Sequence, residues 1–148
     1  MNPLRRSLLQ FAALAAAGWL KTSQAMAAAW NTAGFEAKAM ADVLKSLGAG
    51  GAAESNDIAI TAPDIAENGA VVPIEVVSHI PNTQAISIIA EKNPFPLAAT
   101  INFANGAEPY AYVRIKMGQT ARVRAIVLAG GRIFTAAREV KITIGGCG

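Results

Sequence analysis

From Ile58 to Ile144, apolar side chains recur at every second position, in short runs separated by turn residues. A strand with one face buried and one face in water needs that period, because successive side chains leave a pleated backbone on opposite sides. Ile58 and Ile60 begin the series. Val72, Ile74 and Val76 share a face, with Glu75 on the other. Ile86, Ile88 and Ala90 form a third run, and Leu97, Ala99, Ile101 and Phe103 a fourth. Val113, Ile115 and Met117 alternate with Tyr112, Arg114 and Lys116, and Val123, Ala125 and Val127 oppose Arg122 and Arg124. Val140, Ile142 and Ile144 close the series, with Lys141 and Thr143 opposite. Turn signals at Glu67-Asn68-Gly69, Pro81-Asn82, Asn93-Pro94, Asn105-Gly106 and Gly130-Gly131 separate the runs. Seven short strands at this spacing predict an all-β fold over residues 52–144, an immunoglobulin-like antiparallel β-sandwich. The chain has one cysteine, so no disulfide can join the two sheets and the core must hold by aliphatic contact alone. Ile126 and Leu128 fall on the same nominal face as Arg122 and Arg124. Their strand is thus apolar on both sides toward its end, which requires a central position or cover from another subunit.

Residues 28–51 read differently. Phe35, Ala39, Met40, Val43, Leu44 and Leu47 recur every three to four positions and predict one amphipathic N-terminal helix followed by a linker. Asn31 or Thr32 can cap its start, and Gly48 can end it in a left-handed conformation. The apolar stripe could lie on this domain or on a partner, and the pattern alone does not decide.

Residues 1–27 have the form of an export signal. Arg5 and Arg6 make a charged start, Leu8 to Leu20 is a short apolar run, and Ala25-Met26-Ala27 is a small-x-small cleavage pattern. The paired arginines followed by Ser7-Leu8-Leu9 resemble a twin-arginine signal and point to the periplasm. The apolar run is too short for a spanning helix, so no stable membrane association is expected after cleavage. The whole chain has 13 Lys and Arg against 10 Asp and Glu. Arg5, Arg6 and Lys21 leave with the signal, which brings the two to parity. No basic stripe remains to hold phosphates, and nucleic acid is excluded as a partner.

The chemistry concentrates in the last four residues. The only cysteine, Cys147, is flanked by Gly145, Gly146 and Gly148. Glycine removes steric cover and widens the accessible backbone angles. Residues 145–148 therefore predict a flexible arm of at most ~13 Å that carries a thiol. An unpaired cysteine in an exported protein means intermolecular pairing or a reactive thiol. The neighbouring terminal carboxylate opposes thiolate formation, and no cation adjoins the arm, so the thiol is not activated by its own chain. That favours a carrier on which partner enzymes act. Two alternatives stand beside it. One is an exported binding or structural module whose tail cysteine forms an intermolecular disulfide. The other is a cysteine enzyme using His79, the only histidine, which would have to sit beside Cys147. One Cys and one His cannot make a four-ligand zinc centre without many carboxylates, and no haem or phosphate-loop motif is present, so no metal or cofactor is expected.

Several segments carry a family resemblance. They are Pro63-Asp64-Ile65-Ala66-Glu67-Asn68-Gly69-Ala70, Val72-Pro73, Glu91-Lys92-Asn93-Pro94-Phe95-Pro96-Leu97, Arg114-Ile115-Lys116-Met117, Ala129-Gly130-Gly131 and the terminal Gly-Gly-Cys-Gly. With them the chain resembles the SoxY family, the sulfur-carrier subunits of the periplasmic thiosulfate-oxidising (Sox) system. The resemblance implies a non-enzymatic carrier with sulfur attached covalently at Cys147, on an arm formed by Gly145, Gly146 and Gly148. It implies a heterodimer with a second small β-sandwich, the SoxZ subunit. It also implies a c-type cytochrome that couples thiosulfate to the thiol and a manganese-dependent hydrolase that releases sulfate. Some systems add a molybdenum–haem sulfane dehydrogenase.

Overall fold

The computed structural model describes residues 30–104 and 106–143. Residues 1–29, Asn105 and residues 144–148, which include the expected signal at 1–27 and the expected arm at 145–148, lie outside the described residues. Among the described residues, two helices, α1 (Thr32–Glu36) and α2 (Met40–Ser46), precede nine strands. The strands are β1 (Ala53–Glu54), β2 (Ile58–Thr61), β3 (Ile65–Ala66), β4 (Val72–Ser78), β5 (Thr83–Ala90), β6 (Leu97–Asn102), β7 (Tyr110–Ile115), β8 (Ala121–Ala129) and β9 (Arg132–Ile142). One sheet runs β1-β9-β8-β5-β6, with β3 also on β9, and the other runs β2-β4-β7. The predicted all-β sandwich is therefore the fold, and most of its pairs are antiparallel. The exceptions are β1 and β3, which both run parallel to β9.

The odd residues Val123, Ala125 and Val127 of β8 and the even residues Ile86, Ile88 and Ala90 of β5 meet Val72, Ile74 and Val76 of β4 between the sheets. This is the alternation seen in the sequence, and it builds the main core. The opposite side of the larger sheet has its own cover. Ile89, Leu97 and Ile126 form a second cluster with Val43 and Ala49, joined by Phe35, Met40, Leu44 and Leu47. The helical stripe thus lies on its own domain. Ile126 is both on a central strand and covered by the helices, whereas Leu128 stays exposed.

The single N-terminal helix expected from the stripe is two. Ala37 and Ala39 are extended (φ −64°, ψ 135° and φ −101°, ψ 139°). The Asn31 amide Nδ2 donates to Ser46 Oγ at 3.4 Å, fifteen residues away. A straight helix would hold those residues about 22 Å apart. The break lets α1 fold back against the end of α2, and Gly34 makes the approach possible. A Cβ there would stand 2.6 Å from Ser46 Oγ and 3.0 Å from Leu97 Cδ2. Asn31 does cap α1, its Oδ1 accepting from the Gly34 N–H at 3.0 Å. Gly48 has φ +65°, as expected of a helix terminator.

The last strand is longer than the sequence suggested and begins at Arg132 rather than Val140. It pairs with β8 from Ala129↔Arg132 to Ala121↔Val140. Gly130 and Gly131, at φ +55° and +74°, make the two-residue hairpin turn that this register needs. On the outward face of the smaller sheet, Tyr110 donates to Glu75 Oε2 at 3.3 Å.

Candidate functional site

Cys147, Gly145, Gly146 and Gly148 lie outside the described residues. The structure does place the base from which they extend. β9 overruns the start of β8 by two residues, since Val140 is the last to pair with it. The overhang is held on both sides. Toward β3, the Lys141 N–H donates to Asp64 O at 2.9 Å and the Thr143 N–H to Ala66 O at 3.2 Å. Away from β3, the Ile142 N–H donates to Thr120 Oγ1 at 2.9 Å. Asp64 is itself tied down, its Oδ1 accepting from Arg138 at 2.7 Å. Every amide from Lys141 to Thr143 thus has a partner, and the last described residues before Ile144 are firmly anchored.

The segment after β3 completes the base. Asn68 Oδ1 accepts from the Ala70 N–H at 2.9 Å and turns the chain. Gly69 then lies directly on Met117, whose N–H donates to Gly69 O at 2.7 Å. A Cβ at Gly69 would overlap the Met117 carbonyl oxygen and stand 3.0 Å from Ile142 Cγ2. The reason for glycine here is close approach. A cleft of about 410 Å³ opens beside this contact, lined by Glu67, Gly69, Lys116, Met117, Ile142 and Thr143.

A second cleft of about 460 Å³ shares Lys116 and Gly118 and adds Asn93, Pro94 and Phe95. The loop that supplies them is bolted in place. Its ends are drawn together by the Ala90 N–H donating to Pro96 O at 2.8 Å. Asn93 Nδ2 donates to Lys116 O at 2.6 Å, and Gln119 Nε2 to Lys92 O at 3.4 Å. At its root, the Arg124 guanidinium meets Glu91 Oε1 at 2.8 Å through both Nε and a terminal nitrogen, and reaches Thr135 Oγ1 at 3.3 Å. Phe95 is nevertheless 51% exposed, with the Lys38 ammonium 6.0 Å from its ring centre.

His79 is exposed and follows β4, its N–H donating to Asp57 O at 2.8 Å. β4 begins opposite Ile115, near Met117 and the base of the arm, and ends at Ser78. Its seven residues put His79 about 20 Å from that base. The arm reaches at most ~14 Å from Thr143 to Cys147. The geometry argues against a Cys–His pair within one chain. Among the described residues, no group of three or more His, Cys, Asp or Glu side chains could hold a metal ion. Sequence reading took Asn68-Gly69 as a turn and Phe95 as part of a resemblance segment. It did not identify Gly69 as a contact glycine, Thr120 as a clamp, or Phe95 as an exposed ring on a fixed loop.

A family model described as "Sulfur oxidation protein SoxY" matches residues 44–147. No curated protein matches the chain. Among solved structures, the sulfur carrier protein SoxY from Chlorobium limicola f thiosulfatophilum is 37% identical, with a TM-score of 0.65. The match covers 72% of this chain and 94% of that one.

Proposed function

This chain belongs to the SoxY family of sulfur oxidation proteins, and from that premise we propose that it carries thiosulfate-derived sulfur covalently on Cys147 and presents it to the enzymes of the Sox system. It is a sulfur carrier acted on by others, not a catalyst. One observation supports the position of the cargo: β9 is clamped by β3 and Thr120 up to Thr143, four residues before the only cysteine. A fixed base joined to a glycine-flanked thiol gives a short, slim tether with a defined origin. Tethering converts a weakly bound anion into a substrate at high local concentration.

Loading joins the Cys147 Sγ to the outer sulfur of thiosulfate. RSH and S₂O₃²⁻ give R–S–S–SO₃⁻ and a proton, and two electrons pass to the c-type cytochrome that couples them. Hydrolysis by the manganese-dependent partner adds water, releases sulfate and two protons, and leaves the persulfide R–S–S⁻. Where a sulfane dehydrogenase is present, it takes six electrons from R–S–S⁻, with three waters supplying the oxygens, to give R–S–SO₃⁻ and six protons. Adding one more water then releases sulfate and a proton and restores the thiol RSH. The second β-sandwich, a SoxZ-like subunit, completes the carrier as a heterodimer. Residues 1–27 direct export to the periplasm, where these reactions take place.

The test is mass spectrometry of the C-terminal peptide after exposure to thiosulfate and the coupling cytochrome. Sulfur-chain adducts on Cys147 that a reductant removes are expected. Recovery of a disulfide-linked homodimer alone would replace this reading with that of an exported structural module.

A further inference from the structure

Cys147 is four positions after Thr143, so the thiol stays within ~14 Å of Thr143. An enzyme that takes Cys147 into a narrow cavity must therefore rest its rim on the surface around Thr143. That surface has a distinct composition. Phe95, Val71 and Ile65, all half-exposed or more, come from the three segments at this end of the sandwich. The other exposed large apolar side chains among the described residues are scattered along the chain: Trp30 before α1, Tyr110 and Tyr112 on β7, and Leu128 on β8. Lys92 stands in the loop with Phe95, Lys116 follows β7 and Lys141 lies in β9. Of the acids at this end, Asp64 is paired with Arg138 and Glu91 with Arg124, while Glu67 lines the cleft beside Lys116.

We propose that Phe95 and the adjoining cleft with Lys116 are the docking surface for the enzymes that process the Cys147 cargo. The partner would set an apolar side chain of its rim against the Phe95 ring and carboxylates against Lys92 and Lys116. This rests on the carrier reading above. The carrier's reach places the partner's mouth here, and the loop's rigidity makes the ring a good anchor. Its backbone is fixed by the Ala90–Pro96 bond and its side by the Asn93–Lys116 bond, so little ordering remains to be done on binding. Interfaces concentrate their affinity in such preorganised aromatic anchors. The lysines would add steering that weakens with salt.

The experiment uses the purified carrier with its second subunit, thiosulfate and the coupling cytochrome, comparing wild type with Phe95→Ala, Lys116→Glu and, as a control on another face, Tyr112→Ala. Alkylation of Cys147 by iodoacetamide should proceed alike in all four, showing an intact arm. Phe95→Ala should raise the KM for carrier roughly tenfold with kcat nearly unchanged. Lys116→Glu should raise KM at low salt and flatten its salt dependence. Tyr112→Ala should match wild type. Unchanged KM in Phe95→Ala while the wild type is loaded overturns the docking surface and leaves the carrier role standing. Release of the second subunit by Phe95→Ala in size-exclusion chromatography also overturns it, by assigning the ring to the subunit contact. No adduct on the wild type overturns the carrier reading itself.

Discussion

Replacing Gly69 with alanine should loosen the base of the arm. The added methyl would overlap the Met117 carbonyl oxygen and press on Ile142 Cγ2. Met117 is almost fully buried and its carbonyl belongs to the backbone, so it cannot rotate away. The Asn68–Ala70 turn must move instead, which breaks the 2.7 Å bond from the Met117 N–H to Gly69 O. Overpacking of one methyl costs about 1–3 kcal/mol, and the lost hydrogen bond adds about 1 kcal/mol. The variant should thus be destabilised by about 2–4 kcal/mol, read as a lower urea midpoint with an unchanged slope. For a domain of this size the melting temperature should fall by roughly 10 °C. Hydrogen exchange gives the local readout: the Lys141 and Thr143 amides, bonded to Asp64 O and Ala66 O, should lose protection. Gly118→Ala is the matched control, because a Cβ there meets nothing within 4 Å. A Gly69→Ala midpoint within the error of Gly118→Ala would refute the close-approach argument.

The two ion pairs should differ sharply. Arg124→Ala leaves Glu91 in a mostly buried setting and should cost about 2 kcal/mol in denaturant unfolding, whereas Arg138→Ala, in an exposed pair, should cost less than about 1 kcal/mol. Partial desolvation and the Glu75 carboxylate raise the Tyr110 phenol above its ordinary value. A raised folded-state value means that any stability from this contact is present below the free-phenol range and is lost as pH climbs through the folded value. Glu75→Gln should accordingly move the onset of phenolate absorbance to lower pH. Gly146→Leu should widen and stiffen the arm. Partner-dependent sulfur transfer should drop sharply with little change in melting temperature, and equal transfer would contradict a narrow-channel requirement.

Periodicity exposed the sandwich because β4, β5, β7 and β8 each bury one face between the sheets. Val72, Ile74 and Val76 or Val123, Ala125 and Val127 carry that information without help from the rest of the chain. The break between α1 and α2 was hidden because Ala37, Lys38 and Ala39 all favour helix. Only the reach of Asn31 to Ser46 demands the fold-back, and that is a tertiary constraint. The first half of β9 was hidden because Ala136 and Ala137 are weak strand formers. Its strand state is imposed by β8 through the Gly130-Gly131 turn. β1 and β3 have two residues each, too few for any period, and exist because β9 offers them a partner. At the site, a lone glycine-flanked cysteine was plain in the sequence. Gly69, Thr120 and Phe95 act through contacts between segments distant along the chain, and no local pattern marks them.

The distribution of polar contacts fits a division of labour between scaffold and cargo. The bonds that hold β9 and the Phe95 loop at this end use mainly backbone groups: the Lys141 and Thr143 N–H donate to Asp64 and Ala66 O, the Ile142 N–H to Thr120 Oγ1, and Asn93 Nδ2 to Lys116 O, with the Arg138–Asp64 side-chain pair beside them. The one histidine of the chain stands at the far end of β4 from Thr143. A base beside Cys147 would raise the share of thiolate and with it the rate of exchange with any passing disulfide or oxidant. A carrier gains from the reverse arrangement, in which the attachment atom stays sluggish until an enzyme supplies activation. What this scaffold must then provide is position. The clamp on β9 fixes where the tether begins, and the hydrogen-bonded loop under Phe95 offers a fixed surface next to that point.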